Sequence, residues 1–193
     1  MKSIAISGSR RENVGKKQAQ ELRKAGNVPC VLYGGKEQVH FFAPDLSFKN
    51  LVYTPDVHTV DLSIGGTSYQ AIMKDIQFHP VSDKILHIDF IELADNKPVV
   101  VEVPVKVFGN SIGVKAGGKL VKKMRKIAVK ALPKNLPDVV EINIETLDIG
   151  KDIRVKDINI EGVQILGGQN NVIVAVQTTR ASLQAEAAEG KKK

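Results

Sequence analysis

His79, His87 and Asp89 come closest, by residue type and spacing, to a reactive or metal-binding centre. Strand alternation would put His87 and Asp89 on one face, with His79 a few residues upstream across Pro80. A His/His/Asp metal set is conceivable on that basis. The surrounding sequence does not support it. There is no HxxxH pair, no second cysteine beside Cys30 and no carboxylate cluster next to these histidines. A nearby serine would suggest a hydrolase, but no GxSxG elbow exists. Gly117-Gly118-Lys119 resembles a phosphate loop only in passing, because the GxxxxGK[ST] frame is missing and Leu120 follows the lysine. These residues predict no enzyme, no resident metal and no cofactor.

Polyanion binding fits the sequence better. The formal net charge is +7 and the isoelectric point about 9.4. Residues 1–36 carry eight basic side chains against two acidic ones, whereas residues 37–93 carry three against eight. One region of the first half is therefore strongly basic and the rest acidic. Arg10, Arg11, Lys16, Lys17, Arg23 and Lys24 lie on one loop and the helix after it, where they could track a phosphate backbone. A solvated helix face is the other reading. Tyr33 precedes Gly34-Gly35, so its ring could approach a backbone closely or simply fill an edge-strand position. A carboxylate such as Asp89 repels phosphate and helps only when it meets donors. In A-form RNA those are the 2′-hydroxyls and the guanine amino group of the shallow minor groove. A second basic stretch runs from Lys115 to Lys130, seven cations without an acid. It suits either RNA or plain solvation.

The elements that must position these groups are short and mostly extended. Tryptophan is absent and aromatics make up 5% of the chain, so Val, Ile and Leu must build the core, which favours strands. Strands are expected at 3–6, 28–33, 39–42, 60–64, 69–77 and 85–92, the last with Leu86, Ile88 and Phe90 on one face and His87, Asp89 and Ile91 on the other. Residues 8–11 read as a loop. Residues 16–25 are good helix formers with a thin apolar stripe at Ala19 and Leu22, stopped by Gly26-Asn27 and Pro29. A second helix is predicted over 45–53. Gly65-Gly66 makes a tight hairpin turn. The polar, Pro-broken stretch 93–98 reads as a boundary. Beyond it come a Val-rich strand at 99–108, further strands at 127–131, 139–144, 163–166 and 172–177, and one helical turn within 146–157. The prediction is two domains, 1–93 and 99–180, with a flexible, disordered tail at 181–193. The fold class is mainly β with short helices. A single cysteine suits a reducing, cytoplasmic setting, and no apolar run nears the ~18 residues of a membrane span.

Four stretches, in order, carry a family resemblance. They are Arg11…Gly15-Lys16 through Leu22-Arg23-Lys24-Ala25-Gly26; Val28-Pro29-Cys30-Val31-Leu32-Tyr33-Gly34-Gly35; Gln77-Phe78-His79-Pro80 with His87-Ile88-Asp89-Phe90; and Val105-Lys106-Val107-Phe108-Gly109 through Gly113-Val114-Lys115-Ala116-Gly117-Gly118-Lys119-Leu120. The chain resembles the bacterial large-subunit ribosomal proteins that bind 5S rRNA, in the two-domain CTC (general stress protein) form. The resemblance implies a small N-terminal β-barrel similar to the anticodon-binding barrel of glutaminyl-tRNA synthetase, followed by a second all-β domain. It implies that Arg11, Lys16, Arg23, Lys24, Tyr33, His87 and Asp89 meet an irregular internal loop of 5S rRNA through the minor groove, with Gly34, Gly35, Gln77 and His79 beside them. It also implies a cytoplasmic monomer within the ribosome, next to large-subunit rRNA and proteins, and no membrane partner. Gln20 and Glu21 stand where many members carry arginines, so no contact is carried over there. The competing reading is a stress-related protein-binding module with incidental RNA affinity.

Overall fold

The computed structural model describes residues 2–35 and 37–180, and the tail expected at 181–193 lies outside them. Two compact units divide the chain. One runs to Val99 and includes Leu132–Lys134, and the other comprises Val100–Ala131 and the chain from Asn135.

The first unit is a closed six-stranded barrel. Its strands are β1 (Ser3–Arg10), β2 (Asn27–Tyr33), β3 (Val39–Pro44), β4 (Thr59–Ile64), β5 (Thr67–Phe78) and β6 (Ile85–Glu92), joined in the order β1-β3-β2-β6-β5-β4. Parallel pairings of β1 with β4 and of β2 with β6 are combined with antiparallel ones, and closure leaves no free edge. Val60, Leu62 and Ile64 alternate inward as expected. Gly65 and Gly66 both have positive φ, 57° and 86°, as the hairpin turn requires. Without tryptophan, Phe41, Phe48 and Phe90 fill the centre, with ring centroids 5.8 Å apart for Phe41–Phe90 and 6.3 Å for Phe48–Phe90.

Three expectations for this unit need correction. The predicted loop at 8–11 is strand as far as Arg10, because Ser9 and Arg10 pair with Phe42 and Phe41 to complete the barrel. Gly8 permits this: a Cβ there would sit 2.8 Å from the Phe41 ring. The helix at 45–53 is a 3-10 turn (Asp45–Phe48) followed by one short helix, α2 (Lys49–Val52). Leu86 does not share a face with Ile88 and Phe90, which point into the core. The β5–β6 register shifts between Gln77 and Phe78, so Ile85 takes the core position and Leu86 is turned outward, half-buried. Helix α1 (Lys16–Lys24) begins where predicted and ends one residue earlier, with Ala25 as its cap, and has no fully buried residue.

The second unit holds a four-stranded sheet of order β10-β7-β9-β12 and a three-stranded sheet of order β11-β13-β8. These comprise β7 (Val99–Phe108), β8 (Lys119–Lys122), β9 (Lys126–Ala131), β10 (Val140–Asn143), β11 (Asp152–Arg154), β12 (Val163–Ile165) and β13 (Val172–Gln177). Strands β8 and β11 and the short helix α3 (Ile112–Lys115) were not anticipated. The helical turn expected within 146–157 is a 3-10 turn at Val155–Asp157. Gly113, within α3, and Gly118, in the loop after it, serve packing. A Cβ on Gly118 would lie 2.6 Å from Val176 and 2.7 Å from the Gly113 carbonyl, and one on Gly113 would lie 2.6 Å from the 148–149 backbone.

Candidate nucleic-acid interface

Neighbouring barrel strands present Tyr33, Gln77, His87 and Asp89 outward. In the β5–β6 ladder, Gln77 stands opposite His87 and Asp75 opposite Asp89. In the parallel β2–β6 pair, Val31 is level with Asp89 and Tyr33 with Ile91. His87 Nδ1 lies 2.7 Å from Asp89 Oδ1, with both side chains partly exposed at 26% and 31%. The carboxylate can only accept, so the imidazole Nδ1 carries the hydrogen and donates. Nε2 is then turned to other partners, and Asp89 keeps Oδ2 as a further acceptor. Burial, reinforced by the Asp89 and Asp75 carboxylates, pushes the Tyr33 phenol above its usual range, so it stays protonated and can donate. The face thus offers a phenol donor, a histidine–carboxylate couple and an amide. That set can satisfy hydroxyls and exocyclic amines but not a bare phosphate row.

Cations enter from α1. Its last turn carries Arg23 and Lys24, favourably placed at the negative end of the helix dipole. Arg23 Nε donates to the Leu86 carbonyl at 2.9 Å, which ties the helix to β6 beside His87. Lys16 is exposed at the start of the helix. Arg11 differs from the others. It is only 8% exposed, its backbone N–H donates to the His40 carbonyl at 2.8 Å, and Nη2 reaches Gln18 Oε1 at 3.5 Å. Its buried Nε has no hydrogen-bond partner among the described residues. Arg11 therefore supports α1 more than it presents a free charge.

The remaining predicted residues frame this region. Gly34, with φ of 97°, ends β2; its carbonyl accepts from Lys97 Nζ at 3.1 Å, and a Cβ would lie 3.2 Å from Ile91. A side chain at Gly35 would run into the Glu92 carboxylate. His79 stands apart from the His87–Asp89 couple. Its Nδ1 accepts from the backbone N–H groups of Val81 and Ser82, at 3.3 and 3.2 Å, and so shapes the loop between β5 and β6. Among the described residues no three His, Cys, Asp or Glu side chains converge as a metal site. Sequence reasoning missed Asp75 and Lys84. Asp75 shares a face with Asp89 only because Lys74 is an extra residue in the ladder, and Lys84 was counted in an acidic stretch.

Known proteins match both units. A profile described as the Ribosomal L25p family covers residues 6–90, and one described as Ribosomal protein TL5, C-terminal domain, covers residues 98–180. The large ribosomal subunit protein bL25 of Bacteroides thetaiotaomicron is 47% identical over 196 residues, covering 99% of this chain and 100% of that protein. Its namesake in Porphyromonas gingivalis is 46% identical over 184 residues, 94% and 96% of the two chains. The one in Christiangramia forsetii is 48% identical over 188 residues, 96% and 86%. Proteins so named are structural rather than enzymatic and work in the cytoplasm. With matches at this level along both units, the chain belongs to the ribosomal L25p family, in the form that carries the TL5 C-terminal domain.

Proposed function

We propose that the chain is a structural component of the large ribosomal subunit that binds 5S rRNA through residues 1–93. The observation that carries this reading is the hydrogen-bonded His87–Asp89 couple, set between Tyr33 and Gln77 on a barrel face that α1 borders with cations. A purely phosphate-tracking surface would have no use for a carboxylate. A surface facing a shallow minor groove does, because 2′-hydroxyls and guanine amino groups are donors. Lys16, Arg23 and Lys24 neutralise phosphates along the groove's rim. Arg11 holds α1 from beneath, and Gly34, Gly35, Gln77 and His79 shape the borders of the contact.

Residues 99–180 face neighbouring rRNA or proteins of the subunit, and the protein acts there as a monomer. The basic stretch supports this role. Lys115 ends α3, Lys119 and Lys122 lie on β8, and Lys126 and Lys130 on β9, so the cations spread over both sheets. Lys122 is committed internally, donating to the Val105 carbonyl at 2.8 Å. Pulldown from cell lysate with the full-length protein tests the reading. 5S rRNA should dominate the bound nucleic acid, and a bound fraction without it would overturn the proposal.

A further inference from the structure

A cleft of about 360 Å³ opens on the first unit between the end of α1 and the loop from His79 to Lys84. Two kinds of surface meet in it. Arg23, Lys24 and Lys84 bring three positive charges, and none of the three makes an ion pair among the described residues. Leu86, half-buried and turned outward, gives an apolar floor, backed by the buried core residues Val28 and Ile85. Leu86 reaches that floor only because of the bulge that turns it outward, a device that re-aims side chains beside functional sites. Hydrogen-bonding groups surround it. Asp45 and Asn27 line one side, and His79 the other. With His79 Nδ1 accepting from two backbone N–H groups, its Nε2 carries the proton and is left as a donor.

A bare phosphate would use the cations but leave the floor uncovered and most of the volume empty. An apolar ligand would strand three charges. A phosphate attached to a flat, part-apolar group that also has donors for Asp45 fits both surfaces, and the volume lies at the lower end of the small-ligand range of roughly 300–1,000 Å³. We propose that this cleft is a subsite for a single ribonucleotide turned out of the bound RNA. Lys24 and Lys84 hold its phosphate, with the Nη groups of Arg23. The sugar and base cover Leu86, and Asp45 accepts from an exocyclic amine or a hydroxyl. This inference rests on the RNA-binding reading above and extends the contact to residues on the far side of Arg23 from the His87–Asp89 couple.

The full-length, 15N-labelled protein can be titrated with AMP, UMP and inorganic phosphate while amide shifts are followed. The mononucleotides should move the amides of Asn27, Ser82, Lys84, Ile85 and Leu86, and phosphate alone should move fewer of them at higher concentration. Ser82→Trp plugs the mouth and Lys84→Glu reverses a charge; both lie on an exposed loop, and the amide spectrum reports whether each variant remains folded. Each should abolish the mononucleotide shifts and weaken 5S rRNA binding about tenfold, a loss of about 1.4 kcal/mol. Mononucleotide shifts that are absent or lie elsewhere would overturn the subsite, as would folded variants that bind RNA like the parent. If the parent takes mononucleotides in the cleft but does not bind 5S rRNA, the rRNA reading fails and the ligand is a free nucleotide.

Discussion

Asp89 is an acid on the face proposed to meet a polyanion, and its value lies in what it orients. Its 2.7 Å contact with His87 fixes the ring and leaves acceptors outward. Replacing it by asparagine removes a charge-assisted hydrogen bond, a class worth about 1.5–3 kcal/mol. Asp89→Asn should therefore weaken 5S rRNA binding by roughly ten- to a hundredfold in a filter or anisotropy assay. Unchanged or tighter binding, as simple charge repulsion would give, contradicts the donor-reading role. Tyr33 offers a second test in the free protein. Its phenol is raised by burial and by Asp89 and Asp75, so the folded state favours the neutral form. The stability this contributes is fully present below the ordinary tyrosine range, near pH 10. It is lost as pH rises through the folded value. The 295 nm absorbance titration, taken as parent minus Tyr33→Phe, should place this tyrosine above that range; a component at or below it refutes the assignment.

At the scale of elements, α1 depends on a few tethers. It buries no residue fully, and its ties to the barrel include the Arg23–Leu86 hydrogen bond and the buried Arg11. Arg23→Ala should cost about 0.5–1.5 kcal/mol of barrel stability in a denaturant melt. It should also lower the salt slope of log K for RNA by about 1 if the guanidinium meets one phosphate. A change in slope without a change in stability would show that the tether is idle. The span of α1 was legible because the good helix formers of 16–25, Gly26-Asn27 and Pro29 all act locally. Strand β4 was legible from its alternation. The strand character of Ser9 and Arg10 was not, since it comes from pairing with Phe41 and Phe42 some thirty residues away. Leu86 and Asp75 were misread or missed for a related reason. Each depends on a ladder irregularity that alternation alone does not reveal. His87, Asp89 and Tyr33 were picked out by type and by family resemblance, whereas the Lys84 cleft requires α1 and the β5–β6 loop to be brought together.

For the whole molecule, the barrel has its own core, built from residues between Ile4 and Phe90. It is closed and has no edge to cover, so residues 1–93 should fold alone and keep most of the 5S rRNA affinity. A fragment that folds but binds only when residues 99–180 are present would move the main contact to the second unit. Cys30, fully buried and with its thiol pushed up by burial, should resist thiol reagents until the barrel unfolds, which supplies a simple readout of that fragment's integrity. The central claim, a minor-groove contact made by the barrel, is tested most directly by hydroxyl-radical footprinting of 5S rRNA with the full-length protein and with Asp89→Asn. The parent should protect riboses along one irregular internal loop, and the variant should lose that protection at the same protein concentration. Protection confined to regular helices, or identical for both proteins, would contradict it.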